Sequence, residues 1–465
     1  MEEKNKRLID TKEKLDEVSS TFCVAKWKQV TMHLQNGMTH SCHHPSPHVV
    51  PVSEIKRNPT ALHNSEFKKE QRKLMLEGKR PEECDYCWRV EDDAKSDSYS
   101  DRIYKSADKW ALPYIQDIAS KPWDDNVDPS YVEVSFGNVC NFKCSYCAPH
   151  ISSKWMEEIE QHGPYPTSDS YNNLEWIKSG NMMPIPNRAE NPYVDAFWEW
   201  WPKMYNNLEH FRITGGEPLL NRNTFKVLDY IINNPNPNLE VSINTNLNPP
   251  EDLFNVFLDK IKIIINEKKL KKFKLFTSAE AHGKQSEYIR FGMDYNKWLS
   301  NLHRVYQEVP ECTFTIMSTY NLLSVPSYGK FLKDMLDIKR EYGKHDNWLN
   351  PLLLDIPYLR HPFHQSIFII EKDMIPMIYD QVTQMYQNLE YKHWMGTANR
   401  GFFEYEADKL KRIWEMAEAY VPDQYCTTSR KNFVSFVDEH DKRRGTNFLE
   451  TFPEFEQTYG RWKNL

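Results

Sequence analysis

The sequence predicts an α/β protein built around an open, partial (β/α)6 barrel. Strand-like and helix-like segments alternate six times between residues 131 and 356, which is typical of βαβ units with a parallel sheet. Six units are too few to close an eight-stranded barrel, so we expect a TIM-like barrel that stays open. An aromatic content of 13% and only 15 glycines exclude a disordered or collagen-like chain.

Residues 1–127 form the first expected domain, which is cysteine-containing and predicted to be irregular. A helix over 65–77 is the main exception, because Asn64 or Ser65 can cap its start and Gly78 can end it. The charged first twenty residues predict a short surface helix or a loose arm. A polar connector then leads to the barrel.

The barrel is expected to cover residues 128–371, and residues 372–465 are expected to be a mostly helical extension. Residues 163–200, rich in Pro and Asn, are interpreted as an insertion between the first two units. The predicted strands lie at 131–136, 209–214, 239–245, 273–278, 313–318 and 352–356, and the predicted helices at 224–233, 251–265, 294–308 and 327–342, with one more starting near Ser152. Catalytic residues of parallel barrels lie at the carboxyl ends of the strands, so motifs at those ends are the most informative.

The charge and hydropathy of the chain limit the cellular location and the binding partners that we expect for the protein. The chain has 59 Lys+Arg against 66 Asp+Glu, a net charge of −7, which argues against nonspecific binding to nucleic acid. No apolar run of about 18 residues predicts a membrane span. The charged start lacks the apolar segment of a signal peptide, so a cytoplasmic location is expected. In a reducing cytoplasm the nine cysteines are expected to be metal ligands or catalysts rather than disulfides.

A cysteine-rich loop follows the first predicted strand. It reads Cys140-Asn-Phe-Lys-Cys144-Ser-Tyr-Cys147, and three thiolates at this spacing can hold three irons of a 4Fe–4S cubane. The fourth iron then stays open and can bind a small chelating molecule. The alternative is a zinc site completed by His150 or another residue.

A second motif, Thr214-Gly-Gly-Glu217-Pro, ends the second predicted strand. Gly215 and Gly216 allow a close approach of the main chain to a ligand, and Glu217 offers a carboxylate to an ammonium group. The alternative is an ordinary glycine turn after a strand. Both motifs are expected at the same rim of the barrel.

These two motifs resemble those of the radical S-adenosylmethionine (radical SAM) enzymes. That family has CxxxCxΦC after the first strand, where Φ is an aromatic residue and here Tyr146, and a GGE motif after the second. The resemblance covers about residues 129–360. It implies that the open iron chelates the amino and carboxylate groups of SAM, and that one electron cleaves SAM to a 5′-deoxyadenosyl radical. This radical abstracts a hydrogen atom from the substrate, and an electron donor such as flavodoxin or ferredoxin is implied.

The resemblance also implies cofactor contacts for residues at the strand ends. The expected SAM contacts are Gly215, Gly216 and Glu217 at the ammonium, Tyr146 near the adenine, and Ser278, Glu280 and Arg290 at the ribose or carboxylate. Arg290 could equally be a surface or helix arginine. Asn244 and Asn246 end the third strand and face the same rim, or cap the next helix.

A second cysteine group precedes the barrel and consists of Cys23, Cys42, Cys84 and Cys87. Cys23 and Cys42 enclose Gly37 with the spacing CX13GX4C, which resembles part of the SPASM motif that binds auxiliary iron–sulfur clusters in a subgroup of the family. The resemblance implies a second 4Fe–4S cluster. Two features depart from it: Asp93 and Asp97 replace the next expected cysteines, and SPASM or twitch extensions usually follow the barrel. A structural zinc is the alternative.

For the other cysteines and the histidine-rich run, the sequence predicts no cluster ligands. Cys312 is expected to be a buried small hydrophobe. Cys426 is either packed or, as in peptide epimerases of the superfamily, a donor that returns a hydrogen atom to the substrate. His43, His44 and His48 are interpreted as loop residues.

The functional hypothesis is an enzyme that modifies a peptide or protein side chain and holds two 4Fe–4S clusters. One alternative is a small-molecule dehydrogenase acting on a sugar or cyclitol. A non-enzymatic, zinc-binding interaction protein is the alternative from a different class.

Overall fold

The computed structural model describes residues 2–93, 99–343, 352–390, 400–420 and 424–465. Its strands are β1 Gln29–His33, β2 Met38–His40, β3 His48–Val49, β4 Tyr131–Ser135, β5 Lys143–Cys144, β6 His210–Thr214, β7 Asn236–Asn244, β8 Leu270–Thr277, β9 Arg290–Phe291, β10 Thr313–Met317 and β11 Leu352–Asp355. Nine of them form one sheet in the order β11-β10-β8-β7-β6-β4-β1-β2-β3. The six strands from β4 to β11 in that sheet pair in parallel with their neighbours, which confirms the predicted partial (β/α)6 TIM-like barrel.

Three strands interrupt the N-terminal segment that the sequence predicted to be irregular. β1 runs parallel to β4, with Gln29 opposite Tyr131 and His33 opposite Ser135, and β2 and β3 continue the sheet in antiparallel pairing. β1 is buried on both faces, so it lacks the alternation of polar and apolar residues by which a strand is recognised. The N-terminal segment and the barrel therefore share one sheet, and the domain limits at 127 and 371 stay predictions.

The described part of the N-terminal segment also carries eight helices. They are α1 Glu2–Val18, α2 Ala25–Lys28, α3 Val52–Arg57, α4 Ala61–Asn64, α5 Glu66–Leu76, α6 Asp85–Asp92, α7 Asp101–Ser106 and α8 Ile115–Ala119. Six of them pack around a hydrophobic core that includes Trp27, Cys84 and Cys87, whereas α3 and α4 contribute Ile55, Ala61 and Leu62 to the core of the barrel. The predicted helix over 65–77 is confirmed as α5, because the Ser65 hydroxyl accepts a hydrogen bond from the Lys68 amide. Gly78 follows it with a φ of +71°.

The barrel helices are α9 Ser153–His162, α10 Leu174–Ser179, α11 Pro192–Tyr205, α12 Arg222–Asn233, α13 Glu251–Asn266, α14 Gly283–Ile289, α15 Tyr295–Glu308 and α16 Tyr328–Tyr342. The predicted barrel helices are confirmed, and each starts within two residues of its predicted position. The expected insertion, however, contains most of α11, whose Phe197 and Trp201 are fully buried in the core. Asn191 caps α11 and Pro192 occupies its first position, a start signal that the Pro- and Asn-rich composition obscured.

The C-terminal extension is helical, as predicted. Its helices are α17 Ile375–Gln387, α18 Glu404–Ala419, α19 Gln424–Arg444, α20 Phe448–Thr451 and α21 Glu456–Lys463. None of the helices in the described part of the chain is both long and apolar enough to cross a bilayer.

The two faces of the barrel strands differ in polarity. Residues such as Val132, Ile213 and Val241 face the helices and are fully buried. The alternate residues are only partly buried, and they line the inner face: Glu133, Arg212, Ser242, Asn244, Lys272, Lys274, Phe276 and Thr315. The inner face of the barrel sheet is therefore mostly polar and only partly buried.

Candidate functional site

The three cysteines of the CxxxCxxC loop, here called the cluster loop, lie together after β4. The loop contains β5, which pairs antiparallel with β9. Burial and the neighbouring Cys144 raise the pKa of Cys140 to about 12, and burial together with Cys144 and Cys140 raises the pKa of Cys147. The thiols therefore stay protonated until a metal displaces their protons.

The two glycines of the GGE turn pack directly on the cluster loop. Gly215 has a φ of +127°, and a side chain at Gly216 would lie 2.3 Å from the carbonyl oxygen of Val139. The amide of Glu217 donates to the same carbonyl at 2.7 Å. These contacts place both motifs at one rim, and packing on the loop by itself requires glycine at both positions. The contact of Gly215 and Gly216 with SAM stays a prediction.

The Glu217 carboxylate is only 2% exposed and joins the turns after β6 and β7. It accepts hydrogen bonds from Thr245 Oγ1 (2.8 Å), from the Asn246 amide (2.6 Å) and from the Leu219 amide (2.9 Å). Burial raises the pKa of Glu217 to about 7, and these hydrogen bonds limit the rise. In the absence of a cationic partner the group is thus near its midpoint at neutral pH.

Three further predicted residues form a buried cluster beside Cys144. Arg290 donates to Glu280 Oε2 from Nε (3.0 Å) and Nη2 (2.6 Å), and to the Tyr146 hydroxyl at 2.5 Å. Its Nη1 lies 3.7 Å from Cys144 Sγ. Glu280 Oε1 is buried and has no hydrogen-bond partner among the described residues, which leaves an acceptor for a ligand hydroxyl. Arg290 is therefore not the surface arginine of the alternative interpretation.

The other predicted SAM contacts lie at the same rim with different partners. Ser278 directly follows β8 and is partly exposed. Asn244 accepts a hydrogen bond from Arg212 Nε at 2.9 Å, so it supports the inner face. Asn246 donates to Asn141 of the cluster loop at 2.7 Å. Pro250, not either asparagine, occupies the cap position of α13, so the capping alternative is wrong.

The four N-terminal cysteines, Cys23, Cys42, Cys84 and Cys87, line one cavity, here called the auxiliary pocket. Burial and the neighbouring thiols Cys42 and Cys84 raise the pKa of Cys23 to about 12. Lys26 and Arg102, each 2% exposed, line the same pocket and pair with Glu83 and Glu91. Two buried cations beside four thiols suit a centre that is negatively charged when its thiols are ionised.

No three cysteine thiols in the described residues lie as close together as the ligands of a single zinc ion. Tetrahedral zinc with Zn–S bonds of about 2.3 Å needs sulfurs about 3.8 Å apart. Among the described residues, only His43, His44 and Asp101 bring three potential donor atoms within 4.8 Å of one another. In a cubane each thiolate binds its own iron, so the thiolates lie further apart.

The remaining cysteines are packed. Cys312 and Cys426 are fully buried, and the Cys426 thiol faces the carbonyl of Phe368 at 3.8 Å. Cys426 has no exposed surface from which to reach a substrate. Its role as a hydrogen donor stays a prediction.

Sequence analysis missed the residues that hold the main chain of the cluster loop. Trp155 donates to the Cys144 carbonyl at 2.7 Å, Gln365 to the Ser145 carbonyl at 3.1 Å, and Arg444 to the Lys143 carbonyl at 2.7 Å. The last two lie more than 200 positions away in the chain, and no spacing rule connects them to the motif.

Comparison with known proteins agrees with this geometry. Residues 134–320 match the model of the radical SAM superfamily, and this range contains both motifs. Over this segment, which is less than half of the chain, the protein is similar to radical SAM domains. The similarity implies catalysis with a 4Fe–4S cluster and SAM, and the three thiols of the cluster loop are suited to holding that cluster.

Among solved structures, the chain is similar to the crystal structure of Streptococcus suis SuiB bound to S-adenosylmethionine. The identity is 12%, the match covers 82% of this chain and 72% of SuiB, and the TM-score is 0.36. No curated protein matches the sequence.

Proposed function

We propose that this chain is a radical SAM enzyme that modifies a peptide or protein side chain. When bound, the cluster and SAM supply a 5′-deoxyadenosyl radical that removes a hydrogen atom from an unreactive C–H bond. The chain's own residues would orient the reactants: Glu217 would accept from the N–H groups of the SAM amino group, and Glu280 would accept from a ligand hydroxyl. The inner face of the barrel would hold the substrate below them.

The inner face of the barrel is charged and suits a polar substrate. Arg212 lies 4.2 Å above the ring of Phe276, and its Nη1 is 3.9 Å from Glu133. Lys274 lies 3.4 Å from Glu240 on the same face. These paired charges can bind the amides and charged groups of a peptide, and the hydroxyls of a sugar or cyclitol can make the same contacts. The observation that favours a peptide is therefore the cleft next to this face.

A cleft of about 650 Å³ lies beside the start of the cluster loop, and the amide side chains of Gln35, Asn187 and Asn221 line it. Gln35 is 5% exposed, and its Oε1 has no hydrogen-bond partner in the part of the chain that the structure describes. Side-chain amides both donate and accept, so they suit the main chain of a peptide.

The second part of the proposal assigns a 4Fe–4S cluster to the auxiliary pocket. Its four thiols and their spacing support a cluster over zinc, and the buried Lys26 and Arg102 would offset the negative charge of four thiolates. Four protein ligands leave no open iron, so the cluster would transfer electrons or stabilise the fold. A flavodoxin or ferredoxin as electron donor and a cytoplasmic location belong to the same proposal.

The substrate class is tested by the origin of the abstracted hydrogen. The reconstituted protein, dithionite and SAM are incubated with fractions of perdeuterated cells: a peptide and protein fraction, and a small-molecule fraction. Transfer of deuterium to 5′-deoxyadenosine is measured by mass spectrometry. A variant with alanine at Cys140, Cys144 and Cys147 is the control and should form no 5′-deoxyadenosine.

Deuterium arriving from the peptide and protein fraction supports the proposal. Deuterium arriving from the small-molecule fraction alone contradicts it and favours the dehydrogenase. An Arg212→Gln variant that transfers as much deuterium as the wild type would show that the inner face is not the substrate site.

A further inference from the structure

Four successive carbonyl groups of the cluster loop each accept a hydrogen bond from a different side chain. Ser152 Oγ donates to Phe142 (2.8 Å), Trp155 Nε1 to Cys144 (2.7 Å), Gln365 Nε2 to Ser145 (3.1 Å) and Arg444 Nη1 to Lys143 (2.7 Å). Only two residues of this loop, those of β5, have regular secondary structure. Hydrogen bonds from side chains therefore hold much of this loop in place.

Arg444 is the donor that comes from outside the barrel, in the last turn of α19. Its side chain is fully buried, and it forms a two-point contact with Glu158 of α9: Nε to Oε2 and Nη2 to Oε1, both at 3.1 Å. Its guanidinium lies 4.8 Å from the Trp155 ring. One planar group thus connects α19, the helix after the cluster loop and the loop carbonyl itself.

The partner of Arg444 is an ionised carboxylate. Glu158 also accepts hydrogen bonds from the Tyr165 hydroxyl at 2.7 Å and from Lys143. Burial alone would raise the pKa of Glu158, but Arg444, Lys143 and Tyr165 lower it to about 2. The pair is therefore charged at neutral pH, and each charge depends on the other.

Two neighbours fix the end of α19 where Arg444 lies. Arg443 donates to the carbonyls of Gly163 (2.9 Å) and Pro164 (3.2 Å) beyond the end of α9. Asp441 accepts from the Tyr288 hydroxyl of α14 at 3.0 Å. α14 leads directly into β9, the partner of β5. The C-terminal extension consequently contacts the cluster loop and both elements that flank it.

We propose that Arg444 is a positioning residue of the radical SAM cluster, and that the C-terminal extension is a required part of the cluster site. By holding the Lys143 carbonyl, Arg444 fixes the segment between Cys140 and Cys144, so that their thiols are presented at the spacing the cluster needs. This inference rests on the proposed radical SAM activity and is independent of the proposed substrate.

The test compares the full-length chain with Arg444→Lys and with the double variant Arg444→Met/Glu158→Gln. The double variant removes the loop contact of Arg444 without leaving Glu158 as a buried, unpaired charge. Because Glu158→Gln also removes the ion pair of Glu158 with Lys143 of the cluster loop, Glu158→Gln alone is measured beside it, and the difference between the two variants is assigned to Arg444. Arg461→Gln is the matched control, because Arg461 also lies in the extension but pairs with Glu371 and Asp373 at the surface.

Three quantities are measured: iron per chain after anaerobic reconstitution, the electron paramagnetic resonance change of the reduced protein on adding SAM, and alkylation rates of the apoprotein thiols at Cys140 and Cys144. The double variant should lose about half of the iron and the SAM-dependent spectral change. Its two thiols should react about tenfold faster, since an anchoring hydrogen bond is lost. Arg444→Lys keeps one donor and should retain part of the iron.

The control variant should match the wild type in all three measurements. Wild-type iron, an unchanged SAM-dependent spectrum and unchanged alkylation in the double variant would overturn the proposal. Loss of iron from the double variant, with a melting temperature near that of the wild type, would support the proposal most directly. Loss of iron to the same extent in Arg461→Gln would show that any change in the extension has this effect, and would also overturn it.

Discussion

The SAM affinity of a Glu217→Gln variant should depend on pH differently from that of the wild type. Glu217 is buried beside the cluster loop, and its pKa is raised to about 7 from 4.5. The N–H groups of the SAM amino group would donate to the ionised form. At pH 8 that form predominates, and replacing it with an amide removes a charge-assisted hydrogen bond worth about 1.5–3 kcal/mol, which is about 10- to 150-fold in Kd.

The ratio of the two dissociation constants should shrink as the pH falls. Below pH 7 the wild-type carboxyl must first lose its proton, which reduces its affinity by up to about tenfold per pH unit, whereas glutamine does not ionise. Between pH 8 and pH 6 the ratio of variant to wild-type Kd should therefore fall by about tenfold. Equilibrium dialysis with the reconstituted proteins at pH 6, 7 and 8 measures this ratio, with Glu456→Gln at an exposed position as the control.

The same pKa predicts an effect on stability. Between pH 4.5 and pH 7 the native state keeps a proton that the unfolded chain has lost, so Glu217 stabilises the native state fully below pH 4.5 and loses this contribution as the pH rises through 7. This contribution to the free energy of unfolding is about 3 kcal/mol, and the stability of the glutamine variant should not show this decline with rising pH. A Kd ratio that stays constant from pH 6 to pH 8 would refute the ammonium contact and leave Glu217 only as a tie between the two turns.

Four further outcomes are expected. Alanine at all three cysteines of the cluster loop should leave about half of the iron, measured by iron analysis, because the auxiliary pocket keeps its own ligands. Cys84→Ala/Cys87→Ala should remove the other half yet still form 5′-deoxyadenosine from SAM and dithionite; one zinc in place of that iron would contradict the auxiliary cluster. Arg290→Gln removes the donor 3.7 Å from Cys144 Sγ and should lower the midpoint potential of the cluster, measured by potentiometric titration, because an N–H contact stabilises the more negative, reduced state. Cys426→Ala should leave formation of both 5′-deoxyadenosine and product unchanged, since its thiol is fully buried; loss of product alone, measured by mass spectrometry, would restore its role as a hydrogen donor.

Local sequence patterns were sufficient to predict the barrel and to recognise both motifs. The barrel strands alternate buried and partly buried residues with a period of two, and helices such as α13 start and end within a residue or two of their predicted limits. The cysteine spacing and the Gly-Gly-Glu turn each lie within eight residues, so their chemistry can be recognised without a fold. β1 was not predicted, because a strand that is buried on both faces shows no alternation of polar and apolar residues.

The partners of the site residues were decided only by tertiary structure. Arg290 could be assigned to a ligand or to the surface from its sequence context, and only the approach of β9 to β5 places it between Glu280 and Cys144. Arg444 has no sequence signal at all, since a contact between residues 301 positions apart depends on how α19 packs on the barrel. The sequence alone therefore determined which chemical groups the chain carries at each strand end. Packing decided which of those groups meet, because hydrogen bonds and ion pairs depend on distances of a few ångströms that no local pattern encodes.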